Sequence, residues 1–195
     1  VDDNIFTASL ARVKGRKPSL HFYNRADRLF MTAQVILLRH GKSDWDTLSS
    51  NDFDRSVSAR GIRQLPLIAE QLLPLIKQNS RIICSPAVRT RESLSLVTPF
   101  WPVCEIIFDA RIYEAGTAEL YACLKDYGDC ASLIMIGHNP GLVMLLNMLL
   151  SEGEFTPEVA HLPTSSAAVI SSNVATCSVI APHSANLVTL LKPKA

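Results

Sequence analysis

The sequence lacks an excess of charge of either sign, and this restricts the partners that the protein can bind. Its 195 residues include 19 lysines and arginines against 18 aspartates and glutamates, which gives a formal net charge of +1. A chain with this balance has no general electrostatic field to attract nucleic acid or an anionic membrane. Any anion that the protein handles must therefore be bound in a local pocket.

The sequence also lacks a hydrophobic run of the kind that spans a membrane. The uncharged stretch that most resembles a span, residues 130–151, contains His138, Asn139, Pro140, Gly141 and Asn147. A bilayer helix would have to dissolve all of these residues in hydrocarbon. We therefore expect a strand, a turn and a core helix here, and a soluble protein with no membrane partner.

Motifs for disulfides, metals and nucleotide cofactors are missing as well. The cysteines are odd in number, widely spaced and without a C-x-x-C pair: Cys84, Cys104, Cys123, Cys130 and Cys177. This pattern predicts free thiols in a reducing, cytoplasmic compartment and no zinc site. None of the 8 glycines forms a G-x-x-x-x-G-K-[ST] or G-x-G-x-x-G loop, so we expect no cofactor and no metal.

The composition is that of a globular chain, with 48% hydrophobic and 19% charged residues. The length favours one domain with or without an appendage. Residues 1–30 hold six basic side chains against three aspartates and show no strand or helix period. This segment is either a basic arm or targeting peptide, or a non-native or disordered extension, which we favour. The predicted domain is residues 31–195.

Short apolar runs alternate with helical periodicity from residue 34 onward. Predicted strands cover residues 34–38, 81–84, 103–108, 132–136, 167–171, 178–180 and 187–191. The first predicted helix begins after Ser58, and three more are predicted over residues 87–97, 117–127 and 141–150. Pro66 and Pro74 are expected to kink or divide the first helix. This order predicts an α/β fold, a three-layer α/β/α sandwich with a mostly parallel central sheet.

Chemically capable side chains follow the ends of four predicted strands. These segments are residues 39–43 (RHGKS), 85–89 (SPAVR), 113–115 (YEA) and 137–141 (GHNPG). Because ligands bind at the carboxyl ends of strands in such sheets, two histidines, two arginines and a carboxylate should meet at one edge.

That set of side chains is suited to phosphoryl transfer. Two arginines can fork around phosphoryl oxygens, and a neutral imidazole between them can attack phosphorus. A second imidazole can stabilise charge in transit, and a carboxylic acid can protonate the leaving group. A glycine beside the nucleophile leaves room for the phosphate.

At these positions the sequence resembles the histidine phosphatase superfamily, and within it the short SixA-type phosphohistidine phosphatases. The matching segments are residues 37–41 (LLRHG), 85–90 (SPAVRT), 136–141 (IGHNPG), 55–61 (RSVSARG) and 163–167 (PTSSA). The resemblance extends from Met31 to about Leu191 and implies a phosphoglycerate mutase-like fold. Residues 56–58 (SVS) depart from the Pro-Leu-Thr that is common there.

The resemblance also implies roles for individual residues. His40 would be the nucleophile that carries the phosphoryl group, and His138 would complete the pocket. Glu114 is the candidate proton donor. The residues predicted to bind substrate are Arg39, Arg55, Arg89, Gly41 and Ser43.

The expected function is therefore hydrolysis of a phosphorylated substrate through a covalent phosphohistidine. A protein phosphohistidine, as in signal transduction, is the leading substrate. A small-molecule phosphomonoesterase of the same superfamily is the enzymatic alternative, with a small phosphorylated metabolite as substrate. A catalytically silent phosphate-binding or scaffold module is the alternative of another class. The sequence leaves the oligomeric state open.

Overall fold

The computed structural model describes residues 32–44 and 51–193, so the predicted extension at residues 1–30 lies outside the described residues. The strands are β1 (Ala33–Arg39), β2 (Arg81–Cys84), β3 (Glu105–Phe108), β4 (Ser132–Gly137), β5 (Ala167–Ser172) and β6 (Asn186–Leu191). The helices are α1 (Ala59–Leu72), α2 (Val88–Val97), α3 (Thr117–Tyr127), α4 (Gly141–Leu149) and α5 (Pro157–Ala160).

The six strands form one sheet in the order β3-β2-β4-β1-β5-β6. Strands β3, β2, β4 and β1 are parallel, as helical crossovers require. Strand β5 runs antiparallel to β1, and β6 runs antiparallel to β5. The predicted mostly parallel sheet is therefore confirmed.

Helices cover both faces of the sheet. On one face, Ile36 and Leu38 of β1 pack in a core with Leu65 of α1 and Leu94 of α2. On the other face, alternate residues of β1 pack with Leu124 of α3 and with α4. These residues point to opposite faces because side chains alternate along a strand. The result is the predicted three-layer α/β/α sandwich.

One local prediction was wrong, and one was confirmed only in part. Residues 178–180 are not a strand, because Cys177–Val179 form a 3-10 turn. The backbone N–H groups of Cys177 and Ser178 donate to the carbonyls of Cys130 and Gly128 instead of joining the sheet. Pro66 does not divide α1, which is a single helix, whereas Pro74 lies in a 3-10 turn directly after it.

The helices within residues 32–44 and 51–193 include none that is long and apolar enough to cross a membrane.

Candidate active site

The strand register brings the predicted residues to one edge of the sheet. Arg39 at the end of β1 pairs with Gly137 at the end of β4, and Cys84 at the end of β2 pairs with Ile136. The residues that follow these strand ends are therefore neighbours. The imidazole rings of His40 and His138 lie with their centroids 5.0 Å apart.

His40 is held in one tautomer by the backbone. Its Nδ1 lies 2.7 Å from the carbonyl oxygen of Gly41, and the side chain is buried. A carbonyl can only accept, so Nδ1 carries the proton and the lone pair is on Nε2. Burial lowers the pKa of His40 to about 4, with further lowering by the charges of Arg89, Arg39 and Arg55. The imidazole is therefore neutral at pH 7 and has a free lone pair.

His138 has a partner at each ring nitrogen. Nη2 of Arg89 lies 3.2 Å from Nδ1, and the Oγ of Ser85 lies 2.9 Å from Nε2. Because a guanidinium only donates, Nδ1 accepts and Nε2–H donates to Ser85. Burial and the positive surroundings lower the pKa of His138 to about 3. The second imidazole is therefore neutral too, and its orientation is fixed.

Arg89 enters the site from the second position of α2. Its side chain is buried, and its guanidinium also donates to Asp52, through Nη1 to the carbonyl oxygen at 2.6 Å and through Nη2 to the carboxylate at 2.9 Å. Ser93 links α2 to the segment after β1, because its hydroxyl donates to the carbonyl of Arg89 and accepts from the N–H of Gly41.

Arg55 and Ser43 also meet at this edge of the sheet. The Nη2 of Arg55 donates to the Oγ of Ser43 at 2.6 Å, and its Nε donates to the carbonyl of Asp44 at 3.1 Å. Arg39 donates through Nη1 to the carbonyl of Leu162 at 2.9 Å. That carbonyl also accepts from Asn139, so side chains at the ends of β1 and β4 are hydrogen bonded to the same carbonyl group.

These side chains surround a cavity of about 210 Å³. It is lined by Arg39, His40, Lys42, Ser43, Arg55, Arg89 and Thr164. Three guanidiniums and an ammonium beside one neutral imidazole form a site for a polyvalent oxyanion. A larger groove of about 610 Å³ lies beside α2 and β3, but its lining includes none of the predicted site residues. The guanidiniums and the imidazole therefore favour the smaller cavity as the candidate active site.

Gly41 contributes to packing and not to the cavity wall. A Cβ built on Gly41 would lie 2.8 Å from Cδ1 of Leu65 and 3.0 Å from Cγ1 of Val57. The side-chain direction therefore points toward α1, and Gly41 is not among the described residues that line the cavity. The absent side chain allows the chain after β1 to lie close against this helix.

Glu114 is not brought into the cavity. It lies on the loop before α3, is exposed and has a positive φ of 51°. Its neighbour Tyr113 does reach the site, with its ring edge-on to His138 at 5.5 Å between centroids. The hydroxyl of Tyr113 donates to the carboxylate of Asp52 at 3.0 Å.

The site residues that the sequence analysis missed include Asp52 and Ser85, which form hydrogen bonds with Arg89 and His138. Ser85 had a usable signal, because it directly follows β2 and polar residues at strand ends were the search criterion. Asp52 had only its position three residues before Arg55. Partial burial raises the pKa of Asp52, but hydrogen bonds from Arg55 and Tyr113 and the charge of Arg89 outweigh it and lower the pKa. This carboxylate is therefore ionised at neutral pH.

Within the described residues, no group of three or more histidine, cysteine, aspartate or glutamate side chains is arranged to hold a metal ion. The positive charge among the described residues that line the cavity comes from three guanidiniums and the ammonium group of Lys42.

Comparison with known proteins agrees with this geometry. Residues 35–121 match the model of the histidine phosphatase superfamily (branch 1). This segment includes β1, β2 and the residues from Arg39 to Glu114, whereas His138 follows it. An uncharacterised chloroplastic protein of Arabidopsis thaliana is 31% identical over 130 residues, which are 61% of this chain and 60% of that protein.

Solved structures share the whole fold. A protein assigned as phosphohistidine phosphatase SixA from Nakamurella multipartitia matches with a TM-score of 0.72 at 20% identity, over 84% of this chain and 98% of that one. The protein histidine phosphatase SixA in complex with tungstate matches with a TM-score of 0.66 at 21% identity, over 82% of this chain and 97% of that one. At these identities the matches establish the phosphoglycerate mutase-like fold.

The segment that the family model matches contains His40 and the three arginines that line the cavity, and His138 lies beside His40. Over residues 35–121 the chain is similar to the histidine phosphatase superfamily (branch 1).

Proposed function

We propose that this protein is a phosphatase that hydrolyses protein phosphohistidine through a phosphoryl group carried on Nε2 of His40. The observation that carries the proposal is the neutral His40 imidazole, fixed by the Gly41 carbonyl with its Nε2 lone pair free among the guanidiniums of Arg39, Arg55 and Arg89. A nucleophile and an oxyanion site are thereby combined in one cavity.

In the first step, the Nε2 lone pair of His40 forms a bond to phosphorus while the bond from phosphorus to the leaving group breaks. The leaving group takes the bonding electron pair. The guanidiniums neutralise the equatorial oxygens, and buried or partly buried hydrogen bonds set their positions before the reaction. In the second step, the oxygen of a water molecule attacks the same phosphorus, and His40 recovers its lone pair as inorganic phosphate leaves with the water's oxygen.

The lining of the cavity favours a phosphoramidate over an ordinary phosphate ester. Among the described residues, those that line it include no carboxylic acid. Asp52 is held ionised by its arginine partners, and Glu114 lies outside the cavity. An alkoxide leaving group needs a proton donor, whereas the imidazole of a phosphohistidine leaves as a neutral group once its other nitrogen is protonated. The substrate class therefore fits the described lining of the cavity, which holds no carboxylic acid.

We propose further that turnover needs no metal, since the arginines supply the positive charge. Addition of EDTA to the purified protein should leave the rate of phosphate release unchanged. Loss of activity that returns with a divalent cation would contradict this. The proposed location is a reducing, cytoplasmic compartment, because all five cysteines are free thiols.

The experiment compares phosphate release from a phosphohistidine-bearing protein and from an aryl phosphate, using wild type, His40→Ala and His161→Ala. The exposed His161 is the control for loss of an imidazole. We expect faster release from phosphohistidine, abolished by His40→Ala and retained by His161→Ala. Preference for the aryl phosphate would indicate the small-molecule phosphomonoesterase. Phosphate binding without release would indicate the binding or scaffold module.

A further inference from the structure

Asp52 bridges two of the guanidiniums in the candidate active site. One carboxylate oxygen accepts from Nη1 of Arg55 at 2.6 Å, and the other accepts from Nη2 of Arg89 at 2.9 Å. The backbone carbonyl of Asp52 accepts from Nη1 of Arg89 at 2.6 Å. A single residue thus takes hydrogen bonds from both arginines through three oxygen atoms.

These contacts use the part of Arg89 that best binds an oxyanion. The two terminal nitrogens of a guanidinium form the fork that holds carboxylate or phosphate oxygens in pairs. In Arg89 both of these nitrogens donate to Asp52. Both N–H groups of Nη2 are used, by Asp52 and by His138, so a phosphoryl group that takes paired hydrogen bonds from this fork must replace the Asp52 carboxylate oxygen.

The side chain of Asp52 is more exposed than those of the two arginines that it bridges. Asp52 begins a short 3-10 turn, Asp52–Asp54, and its side chain is 40% exposed, whereas that of Arg89 is 7% exposed. Arg89 is also fixed by His138. Rotation of the Asp52 side chain into solvent would therefore free one N–H of Nη2, while Nη1 keeps its bond to the Asp52 backbone carbonyl and has a second N–H for a phosphoryl oxygen.

We propose that Asp52 is an internal counterion, which the substrate's phosphoryl group displaces from Arg89 and Arg55 and which returns as inorganic phosphate leaves. Asp52 thereby sets the affinity of the site for oxyanions. This inference rests on the proposed function, because it assumes that phosphoryl groups bind in this cavity.

One anion therefore replaces another twice in each catalytic cycle. The substrate's phosphoryl group replaces the Asp52 carboxylate on binding, and the carboxylate replaces inorganic phosphate on release. Substrate binding is weakened by the Coulomb energy of the Asp52 contacts that it replaces. Product release is assisted by the same amount, because Asp52 competes with phosphate for the fork. Loss of the carboxylate charge should therefore tighten phosphate binding and slow product release together.

The test compares wild type, Asp52→Asn and Asp54→Asn in titrations with inorganic phosphate and in steady-state kinetics. The asparagine at position 52 keeps the shape and loses the charge. Asp54 lies on the same turn, is exposed, and its side chain makes no hydrogen bond or ion pair with the described residues, so it controls for the change in net charge. We expect Asp52→Asn to bind phosphate about fivefold to tenfold more tightly, as for loss of a competing half-exposed ion pair.

The inhibition constant for phosphate should fall by the same factor, with a lower KM and an unchanged or lower kcat. Asp54→Asn should change each value less than twofold. Weaker phosphate binding in Asp52→Asn would show that Asp52 only orders the arginines, and a change equal to that of Asp54→Asn would show that it has no part in binding. Either result overturns the inference while leaving the proposed function intact. Absence of phosphate binding by the wild type would overturn both.

Discussion

At the scale of single residues, the tautomer of His40 decides which nitrogen can react. The hydrogen bond from Nδ1 to the Gly41 carbonyl leaves Nε2 as the base, and burial keeps the ring neutral. His138 is held neutral by the same causes but has both nitrogens engaged. The two histidines are thereby given different chemistry, although each follows a parallel strand.

Nitrogen NMR of the imidazoles tests this assignment. The pKa of His40 is lowered to about 4 and that of His138 to about 3. Both rings should therefore stay neutral down to pH 5, with His40 protonated on Nδ1. Signals are assigned by their loss in His40→Ala and His138→Ala. A titration midpoint near the ordinary histidine value of about 6.5 would contradict the account.

Replacement of Arg89 tests the oxyanion site. Arg89→Ala should lower kcat/KM by about 10²- to 10³-fold, the effect of removing one preorganised donor to transition-state charge. It should also raise the pKa of His40, because a positive neighbour that opposes protonation is lost.

Arg91→Ala is the matched control, since Arg91 is an exposed residue on the same helix. Thermal unfolding of both variants separates loss of fold from loss of function. Equal kinetic effects of the two substitutions would place the oxyanion elsewhere.

The site residues differ in how far the sequence could predict their positions. His40, His138, Arg39 and Arg89 follow directly from the rule that parallel strands end at one edge. Asp52 could not be found in this way, because a short turn between elements carries it into the site. Glu114 was expected in the site, but the loop turns its side chain outward.

At the scale of elements, α1 packs directly against the segment after β1, and this contact leaves little room for a side chain at Gly41. Gly41→Ala should destabilise the protein by about 1–3 kcal/mol, because the new Cβ meets Leu65 and Val57. Leu65→Ala makes room for that methyl group. In urea unfolding, the double variant should therefore be more stable than the sum of the single effects predicts, by about 1 kcal/mol.

A stable Gly41→Ala protein that fails to bind phosphate would contradict this packing role. Such a result would instead support the expectation from the sequence, in which the missing side chain of Gly41 leaves room for the phosphate.

Elements with a strong local signal were predicted well. Strand β2 and helix α3 have the predicted bounds, and Ser58 caps α1 by accepting from the N–H of Gly61. The error at residues 178–180 has a tertiary cause, because their β-forming side chains lie in a segment whose backbone is bonded to the loop after α3. The β-strand propensity of a short segment does not reveal a contact with a loop that is distant in sequence.

At the scale of the whole molecule, the neutral histidines make stability depend on pH. Both have folded-state pKa values below the ordinary value, so the unfolded chain binds more protons between about pH 4 and 6.5. The free energy of unfolding must therefore fall as the pH falls through this window. At pH 5 the loss relative to pH 7 should be on the order of 2 kcal/mol for each histidine.

Urea unfolding of wild type, His40→Ala and His161→Ala at pH 7 and pH 5 measures this dependence. The His40→Ala protein should lose less stability between the two pH values than wild type, while His161→Ala should behave as wild type. An unchanged dependence in His40→Ala would show that the folded protein does not hold this imidazole neutral.

The central claim is that His40 carries the phosphoryl group. The most direct measurement is to mix the protein with a phosphohistidine-bearing protein, stop the reaction in alkali, in which phosphoramidates persist, and locate the phosphoryl group by mass spectrometry. The account predicts a transient phosphoryl group on His40, present in His161→Ala and absent in His40→Ala. Release of phosphate with no phosphoryl group on His40 at any time, or its appearance on His138, would contradict the account.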